Sequence, residues 1–198
     1  MGDKILFVVG VPGTGKTTLS KKLELKGICY RVKINPENGI LASWDPLSQS
    51  LILNDEHLLI KAILHKWENF QCIIIETHTP GILSNVITPT HIVILRTNPL
   101  ILYERLRSKG WGFRKILENV EAEYLGIPSL EVRKLYNYTT SKILEIDTSG
   151  VKSEELVDHL MDFLHDGGSM IDSGYIDWTA TKYATDIESL IFQNLKIL

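Results

Sequence analysis

The stretch Gly10-Val-Pro-Gly-Thr-Gly-Lys-Thr-Thr18 has the spacing of a phosphate-binding loop, and it decides the fold class. Its three glycines permit backbone conformations in which successive N–H groups converge on an anion, and they are Gly10, Gly13 and Gly15. Lys16 adds a positive charge that can reach the β- and γ-phosphates, and the Thr17 hydroxyl can join the coordination shell of Mg²⁺. We therefore expect the chain to bind a nucleoside triphosphate.

The sequence on either side of the loop supports this interpretation. Ile5-Leu-Phe-Val-Val9 is a short apolar run, typical of a buried parallel strand. After the loop, the stretch from Lys16 to Lys26 mixes leucines with charged residues, and Gly27 follows as a helix stop. Strand, loop and helix thus follow in the required order, with the phosphates expected at a helix N-terminus.

Size and composition limit the possible classes of protein. A chain of 198 residues is long enough for one α/β domain with a substantial core, and a second full domain is not expected. The formal net charge of -3 gives no overall electrostatic reason to bind nucleic acid or anionic membranes. No apolar run approaches the roughly 20 residues of a membrane span, and no signal-peptide pattern is present, so we expect a cytoplasmic protein. Cys29 and Cys72 adjoin predicted strands without metal-ligand spacing, and we expect them to be reduced, buried thiols.

Apolar strand-like runs alternate with helical patterns along the chain. Further strands are predicted at 28–32, 72–75, 91–96 and 143–146, and further helices at 54–67, 99–109, 114–125, from 128 onward, and 153–165. Residues 40–53 are predicted to be an irregular insert. Because strands that alternate with helices form parallel sheets with right-handed crossovers, we predict a three-layer α/β fold with a central parallel sheet.

A carboxylate follows the predicted buried strand Cys72-Ile-Ile-Ile75. Glu76 stands at the carboxyl end of this strand, where a phosphate-loop protein orients Mg²⁺ or the attacking water. Since Glu is one methylene longer than Asp, its action on the metal through a water is open. His78 lies two residues further and is expected on the same side as Glu76, although a purely structural histidine remains an alternative.

The basic stretch from Tyr103 to Lys115 ends a predicted helix and contains glycines at 110 and 112. Such a segment is typical of a lid that brings positive charge over the phosphates and excludes water. Arg105 and Lys109 lie four residues apart on one helix face. Spacing does not decide which side chain reaches the triphosphate, and Lys109, beside Gly110, is our first expectation. A solvated basic face is the alternative. The stretch 147–150 after the last strand is expected near the nucleotide base.

With these pieces placed, the chain resembles the adenylate kinase isoenzyme six family. The resemblance rests on the loop 10–19, on the pair Glu76 and His78, and on Val93-Ile-Leu-Arg-Thr-Asn98. It continues through the stretches at 102–106, 109–111 and 118–120.

The resemblance implies a broad-specificity nucleoside monophosphate kinase that prefers AMP and also has ATPase activity. Family members act in late maturation of the small ribosomal subunit, so the resemblance also implies binding to ribosomal protein uS11 and to the pre-30S particle. The sequence Tyr175-Ile-Asp-Trp178 is similar to archaeal members and implies an archaeal source. The residues that the family pattern assigns to ATP are Gly13, Gly15, Lys16, Thr17, Thr18 and, in the lid, Lys109.

The resemblance also divides the chain into functional parts. It implies a nucleotide kinase domain over 1–166, with a monophosphate-binding insert at about 31–54 and a lid at about 107–117. The helix and strand pattern itself weakens from Gly167-Gly168, where we predict a boundary, and we expect residues 167–198 to form a C-terminal tail that packs on the domain or contacts a partner. The chain departs from the family at Glu76, where Asp is usual, and it has no arginine between Val32 and Leu53 to clamp a monophosphate.

Three functions therefore remain open at this point. In the first, a kinase uses Lys16 and Lys109 to stabilise charge, Thr17 and Glu76 to organise Mg²⁺, and His78 to orient the acceptor or a water. In the second, an ATPase switch binds a ribosomal protein or pre-ribosomal RNA and has little or no kinase activity. A metabolic kinase for another small molecule, such as shikimate, would share the loop and the fold. The missing arginine makes ATP binding the firmer expectation.

Overall fold

The computed structural model describes residues 4–32, 42–45, 50–53, 72–84, 87–137, 139–166 and 174–195. The strands are β1 Lys4–Val9, β2 Tyr30–Val32, β3 Ala42–Asp45, β4 Ser50–Leu53, β5 Cys72–Thr77, β6 His91–Arg96 and β7 Lys142–Asp147. The α-helices are α1 Lys16–Leu25, α2 Pro99–Ser108, α3 Phe113–Tyr124, α4 Ile127–Tyr136, α5 Ser153–Asp166 and α6 Ala184–Leu195. Short 3-10 helices span Pro80–Leu83 and Trp178–Ala180.

Five strands form one parallel sheet in the order β2-β5-β1-β6-β7. The three middle strands are almost wholly apolar because both of their faces are covered. In the register of β1 with β5, Val8 is opposite Glu76 and Val9 is opposite Thr77. The carboxyl end of β5 therefore lies beside the start of the phosphate loop.

Helices cover both faces of the sheet. On one face, α1 and α5 contribute Leu19, Leu23, Val157 and Leu160 to a core that also includes Leu6. On the opposite face, Phe7 and Ile73 pack with Val132 and Tyr136 of α4. The predicted three-layer α/β fold with a central parallel sheet is confirmed.

A third apolar cluster lies beside the phosphate loop. Leu102 of α2 and Val120 of α3 pack in it against Trp178, Ile187 and Ile191, which follow residue 174. The C-terminal segment thus adds a helix, α6, to the side of the domain that carries α2 and α3. None of the helices in the described ranges is long and apolar enough to cross a membrane.

One local prediction is wrong, because residues 40–53 are not irregular throughout. The strands β3 and β4 pair in antiparallel fashion, with Ala42 opposite Leu53 and Asp45 opposite Ser50. The apolar strand β4 therefore pairs with β3. The Asp45-Pro46 dipeptide is typical of a loop, and this signal hid the pairing from sequence reasoning. The predicted helix over 54–67 and the predicted boundary at Gly167-Gly168 lie outside the described residues.

The prediction of reduced thiols is also wrong, because Cys29 and Cys72 form a disulfide. The cause is the pairing of β2 with β5, in which Tyr30 is opposite Ile73. The residue before each of these is a cysteine, so the two Cα atoms lie 4.5 Å apart. A separation of 43 residues along the chain hid this proximity from sequence reasoning.

Candidate active site

The phosphate loop connects β1 to α1 and has backbone conformations that favour glycine. Gly13 and Gly15 have φ values of 96° and 101°. A Cβ on Gly13 would approach Leu102 Cδ1 to 2.7 Å, whereas one on Gly15 would meet nothing within 4 Å. Gly13 is therefore needed for packing under the loop, and Gly15 borders open space where a ligand has room.

Lys16 begins α1 and turns its side chain back over the loop. Its Nζ donates to the carbonyl oxygens of Gly10, at 2.7 Å, and Val11, at 3.0 Å. Burial lowers the pKa of Lys16 to about 8. The charges of Glu76 and Glu123 only partly offset this desolvation, and the charge of Lys109 lowers the pKa further. Lys16 is thus a desolvated cation held mainly by neutral carbonyls, and a triphosphate would supply the anion that this site lacks.

Thr17 and Glu76 meet as the sequence predicts. The Thr17 hydroxyl donates to Glu76 Oε2 at 2.7 Å, which joins the first turn of α1 to the carboxyl end of β5. Since the hydroxyl oxygen keeps its lone pairs when it donates, it can still ligate a cation. A hydroxyl and a carboxylate are oxygen ligands of the kind that Mg²⁺ prefers, so these two residues fit the metal.

Sequence reasoning missed Arg31, which forms an ion pair with the other oxygen of Glu76 through its Nε. Arg31 is in β2 opposite Ile74, and its strand neighbours Tyr30 and Val32 pack on the opposite face of the sheet. The signal was a lone charged residue within a short apolar strand. The strand order, which sequence alone did not give, was needed to bring it next to Glu76.

His78 follows β5 at the protein surface. Desolvation lowers the pKa of His78, and the nearby charges of Lys16 and Lys115 lower it further. The ring is thus within electrostatic reach of these two cations and favours its neutral form. This placement is compatible with the predicted role of orienting an acceptor.

The two basic residues that sequence placed on one helix face have different environments. Arg105 donates to the carbonyls of Gly13, at 3.4 Å, and Thr148, at 3.0 Å. Lys109 caps the C-terminus of α2, is exposed, and acts on Lys16 only through its charge. Of the two, Arg105 is the one in contact with the loop backbone. Thr18, in the first turn of α1, is exposed.

The stretch after β7 closes against the same loop. The Thr148 hydroxyl donates to the carbonyl oxygen of Thr14 at 3.0 Å, and its oxygen lies 2.7 Å from that of the Thr97 hydroxyl. Ser149 Oγ accepts from the backbone N–H of Asn98 at 2.7 Å. These bonds fix the rim that the sequence assigns to the nucleotide base, next to Arg105.

Behind this rim, Arg96 forms a fully buried ion cluster that sequence reasoning did not anticipate. Its Nε donates to Glu123 Oε1 at 2.8 Å, and a terminal nitrogen donates to Glu145 Oε1 at 2.7 Å. The remaining acceptors of Arg96 are Ser129 Oγ, the Ile176 carbonyl and the Glu123 carbonyl. Trp178 Nε1 also donates to Glu123 Oε1 at 3.0 Å, so the cluster ties the C-terminal segment to β6.

Comparison with known proteins agrees with this architecture. Residues 6–126 match the family described as AAA domain. A protein of Saccharolobus solfataricus named "Putative adenylate kinase" is 36% identical over 166 residues, which are 82% of this chain and 84% of that protein. The protein of the same name from Methanocaldococcus jannaschii is 31% identical over 178 residues, 88% of this chain and 92% of that protein.

A solved structure extends the agreement in fold. The chain aligns with a structure of deoxyadenosine kinase from M. mycoides with bound dATP, with a TM-score of 0.51 and 14% identity. The alignment covers 81% of this chain and 98% of that one. The architecture is therefore that of a phosphate-loop kinase fold.

Proposed function

We propose, from the premise that this chain belongs to the AAA domain family, that it transfers the γ-phosphoryl group of ATP to a nucleoside monophosphate, preferably AMP. The observation that carries the proposal is the desolvated Lys16 beside the Thr17–Glu76 pair at the carboxyl end of the sheet. The archaeal relatives named as adenylate kinases support the phosphotransferase class. We propose the cytoplasm as the place of action.

Each side chain has a proposed task. The backbone around Gly13, Gly15 and Thr18 cradles the phosphates, and Lys16 stabilises charge on the β- and γ-phosphates. Lys109 adds positive charge from the lid, and Arg105 keeps the loop and the base rim together through the carbonyls of Gly13 and Thr148. Thr17 and Glu76 hold Mg²⁺, directly or through water, and the ion supplies further neutralisation of phosphate charge.

The proposed reaction needs no covalent intermediate on the protein. The bond between the γ-phosphorus and the oxygen that bridges it to the β-phosphate breaks, and a bond from the γ-phosphorus to an AMP phosphate oxygen forms. Two ADP molecules result. The protein's contribution is to position the two nucleotides in line and to exclude water. His78, as a neutral ring, orients the acceptor.

The division of the chain follows from the same proposal. We assign the kinase domain to residues 1–166, with an acceptor-binding insert at about 31–54 and a lid at about 107–117. The C-terminal segment, within 167–198, braces the base rim through Trp178, whose indole N–H binds Glu123. In this assignment, nucleotides occupy the edge of the sheet where β1 and β5 end.

A second candidate is an ATPase switch with little kinase activity. The absence of an arginine between Val32 and Leu53 favours it, because a monophosphate pocket usually contains one. The further proposals of a role in small-subunit maturation and of binding to uS11 and the pre-30S particle rest on family resemblance alone. A pull-down with purified uS11, with and without ATP, tests them.

The experiment that separates the two candidates follows ATP, ADP, AMP and inorganic phosphate over time, in Mg·ATP with and without AMP. The kinase proposal predicts ADP formed at the expense of AMP with little free phosphate. Phosphate release that is indifferent to AMP would favour the ATPase. Lys16→Ala should abolish both activities, because the phosphates lose their main charge partner. Lys21→Ala, on the exposed side of α1, is the matched control and should retain them.

A further inference from the structure

The guanidinium of Arg31 is only partly used within the protein. Its Nε pairs with Glu76, and within the described ranges its two terminal nitrogens make no hydrogen bond. The side chain is nevertheless only 13% exposed. These two nitrogens are not among the buried polar atoms of the described residues that lack a partner, so they reach the solvent at an otherwise shielded side chain, where an incoming acceptor can meet them.

The ion pair of Arg31 with Glu76 also determines which residues would lie next to an acceptor bound by Arg31. Glu76 holds Arg31 with one oxygen and Thr17 with the other. Arg31 therefore contacts Glu76, one of the two residues that hold Mg²⁺ in the proposed function, and lies one side chain away from the other, Thr17. It is also in β2, the strand that leads into the proposed acceptor-binding insert.

A phosphate monoester matches the two unused nitrogens. Guanidinium presents parallel N–H groups in a fixed plane, which bind two phosphate oxygens at once. A carboxylate on Nε that orients the plane leaves the other edge available for the anion. If Arg31 served only as a counterion for Glu76, a lysine would suffice, since a point charge would do the same work.

We propose that Arg31 binds the phosphate of the acceptor nucleoside monophosphate, and so supplies from β2 the arginine that the segment between Val32 and Leu53 lacks. This inference rests on the proposed kinase function and names the residue that would make the acceptor site selective for a phosphorylated nucleoside. Glu76 then orients Arg31 in addition to its proposed role, with Thr17, in holding Mg²⁺.

The test is calorimetric binding of AMP, and separately of ATP, to the full chain and to Arg31→Gln and Arg31→Lys. We expect Arg31→Gln to weaken AMP binding roughly 10- to 100-fold, as expected for loss of a bidentate charge-assisted pair, and ATP binding less than about threefold. Arg31→Lys keeps the charge and should recover only part of the loss. Lys134→Gln, an exposed change on α4, is the control and should bind AMP normally.

Steady-state kinetics supply the second readout. Arg31→Gln should raise KM for AMP and leave KM for ATP nearly unchanged. Unchanged AMP affinity in Arg31→Gln, with AMP-dependent ADP formation by the unmodified chain, overturns this inference and leaves the kinase proposal standing. Equal weakening of ATP and AMP also overturns it, since Arg31 would then only support Glu76. An unmodified chain that hydrolyses ATP and does not bind AMP overturns the kinase proposal itself.

Discussion

Arg96 and Arg31 both pair with a glutamate near the carboxyl edge of the sheet, yet the two guanidinium groups differ in how many of their nitrogens have an acceptor in the protein. All three nitrogens of Arg96 donate to protein acceptors, and neither its side chain nor those of Glu123 and Glu145 is exposed. Arg31 uses only Nε among the described residues and keeps some exposure. We call the Arg96 cluster saturated because every nitrogen of its guanidinium has an acceptor, although Glu123 Oε2 has no hydrogen-bond partner in the described part of the chain. The comparison indicates that a saturated guanidinium serves the fold, whereas an unsaturated one is ready for a ligand.

The pKa values of the buried cations follow the same division. Burial opposes the charge of Arg96, but Glu123 and Glu145 outweigh it and raise the pKa of Arg96. Burial lowers the pKa of Lys16 to about 8, because Glu76 does not compensate fully. The phosphate site therefore carries a charge that the protein alone does not balance.

The largest expected effect tests the saturated cluster. Arg96→Met should destabilise the protein by about 3–5 kcal/mol, because it removes the ion pair of the buried Glu123 and one of the two ion pairs of Glu145. Urea unfolding followed by circular dichroism measures the loss. Arg107→Met, an exposed change on α2, should cost under about 0.5 kcal/mol. A loss below about 1 kcal/mol for Arg96→Met would contradict the structural role of the cluster.

The second effect tests the unbalanced charge at Lys16. A phosphate favours the protonated amine, so ATP affinity should be full below the free pKa of about 8 and fall above it. Between pH 7 and pH 9 the dissociation constant should rise roughly tenfold, measured by fluorescence or calorimetry at constant ionic strength. Lys16→Arg, whose guanidinium stays charged, should bind with no such pH step. A flat profile in the unmodified chain would show that ATP affinity does not depend on the protonation of Lys16 over this pH range, which would contradict the prediction.

A smaller effect tests the link between the C-terminal segment and the cluster. Trp178→Phe removes the N–H that binds Glu123 and keeps most of the ring volume, so a loss of about 1 kcal/mol is expected. Trp111→Phe, on a side chain that is 37% exposed, is the control. Thermal unfolding measures stability, and limited proteolysis should reveal earlier cleavage near residue 174 in Trp178→Phe alone. If the two variants behaved identically, the proposed link between the C-terminal segment and the Arg96 cluster through Trp178 would be contradicted.

The smallest effect concerns the stability of the unsaturated pair. Arg31→Gln should change the free energy of unfolding by less than about 1 kcal/mol, because the glutamine amide can still donate to Glu76, and Glu76 keeps its hydrogen bond from Thr17. The same urea titration used for Arg96→Met gives the value. If both variants lost similar stability, the two pairs would be alike and the distinction drawn from their saturation would fail.

Local sequence was sufficient for the strand, loop and helix around Lys16, because glycine spacing and apolar periodicity are written in consecutive residues. The helix predicted to begin at residue 99 does begin there, where the Asn98 side chain caps it by accepting from the N–H of Leu100 at 2.9 Å. Glu76 could be proposed because strand ends in parallel sheets carry ligand-binding residues.

The features that sequence reasoning missed all depend on partners that are distant along the chain. Arg31 meets Glu76 only because β2 pairs with β5, and that strand order cannot be read from alternation alone. The carboxylates of Glu123 and Glu145 converge on Arg96 from a helix and a neighbouring strand. In sequence they look like ordinary charged residues, since their burial follows only from packing.

The disulfide between Cys29 and Cys72 makes residues 29–72 a closed covalent ring whose ends are two Cα atoms 4.5 Å apart. A peptidase that cut once inside this ring would leave a nicked but undivided molecule. Insertions or deletions inside the ring would change its circumference and leave its attachment to the sheet unaltered. A designed change of length within residues 33–71 would therefore leave Cys29 and Cys72 joined, with Arg31 two residues from one attachment point.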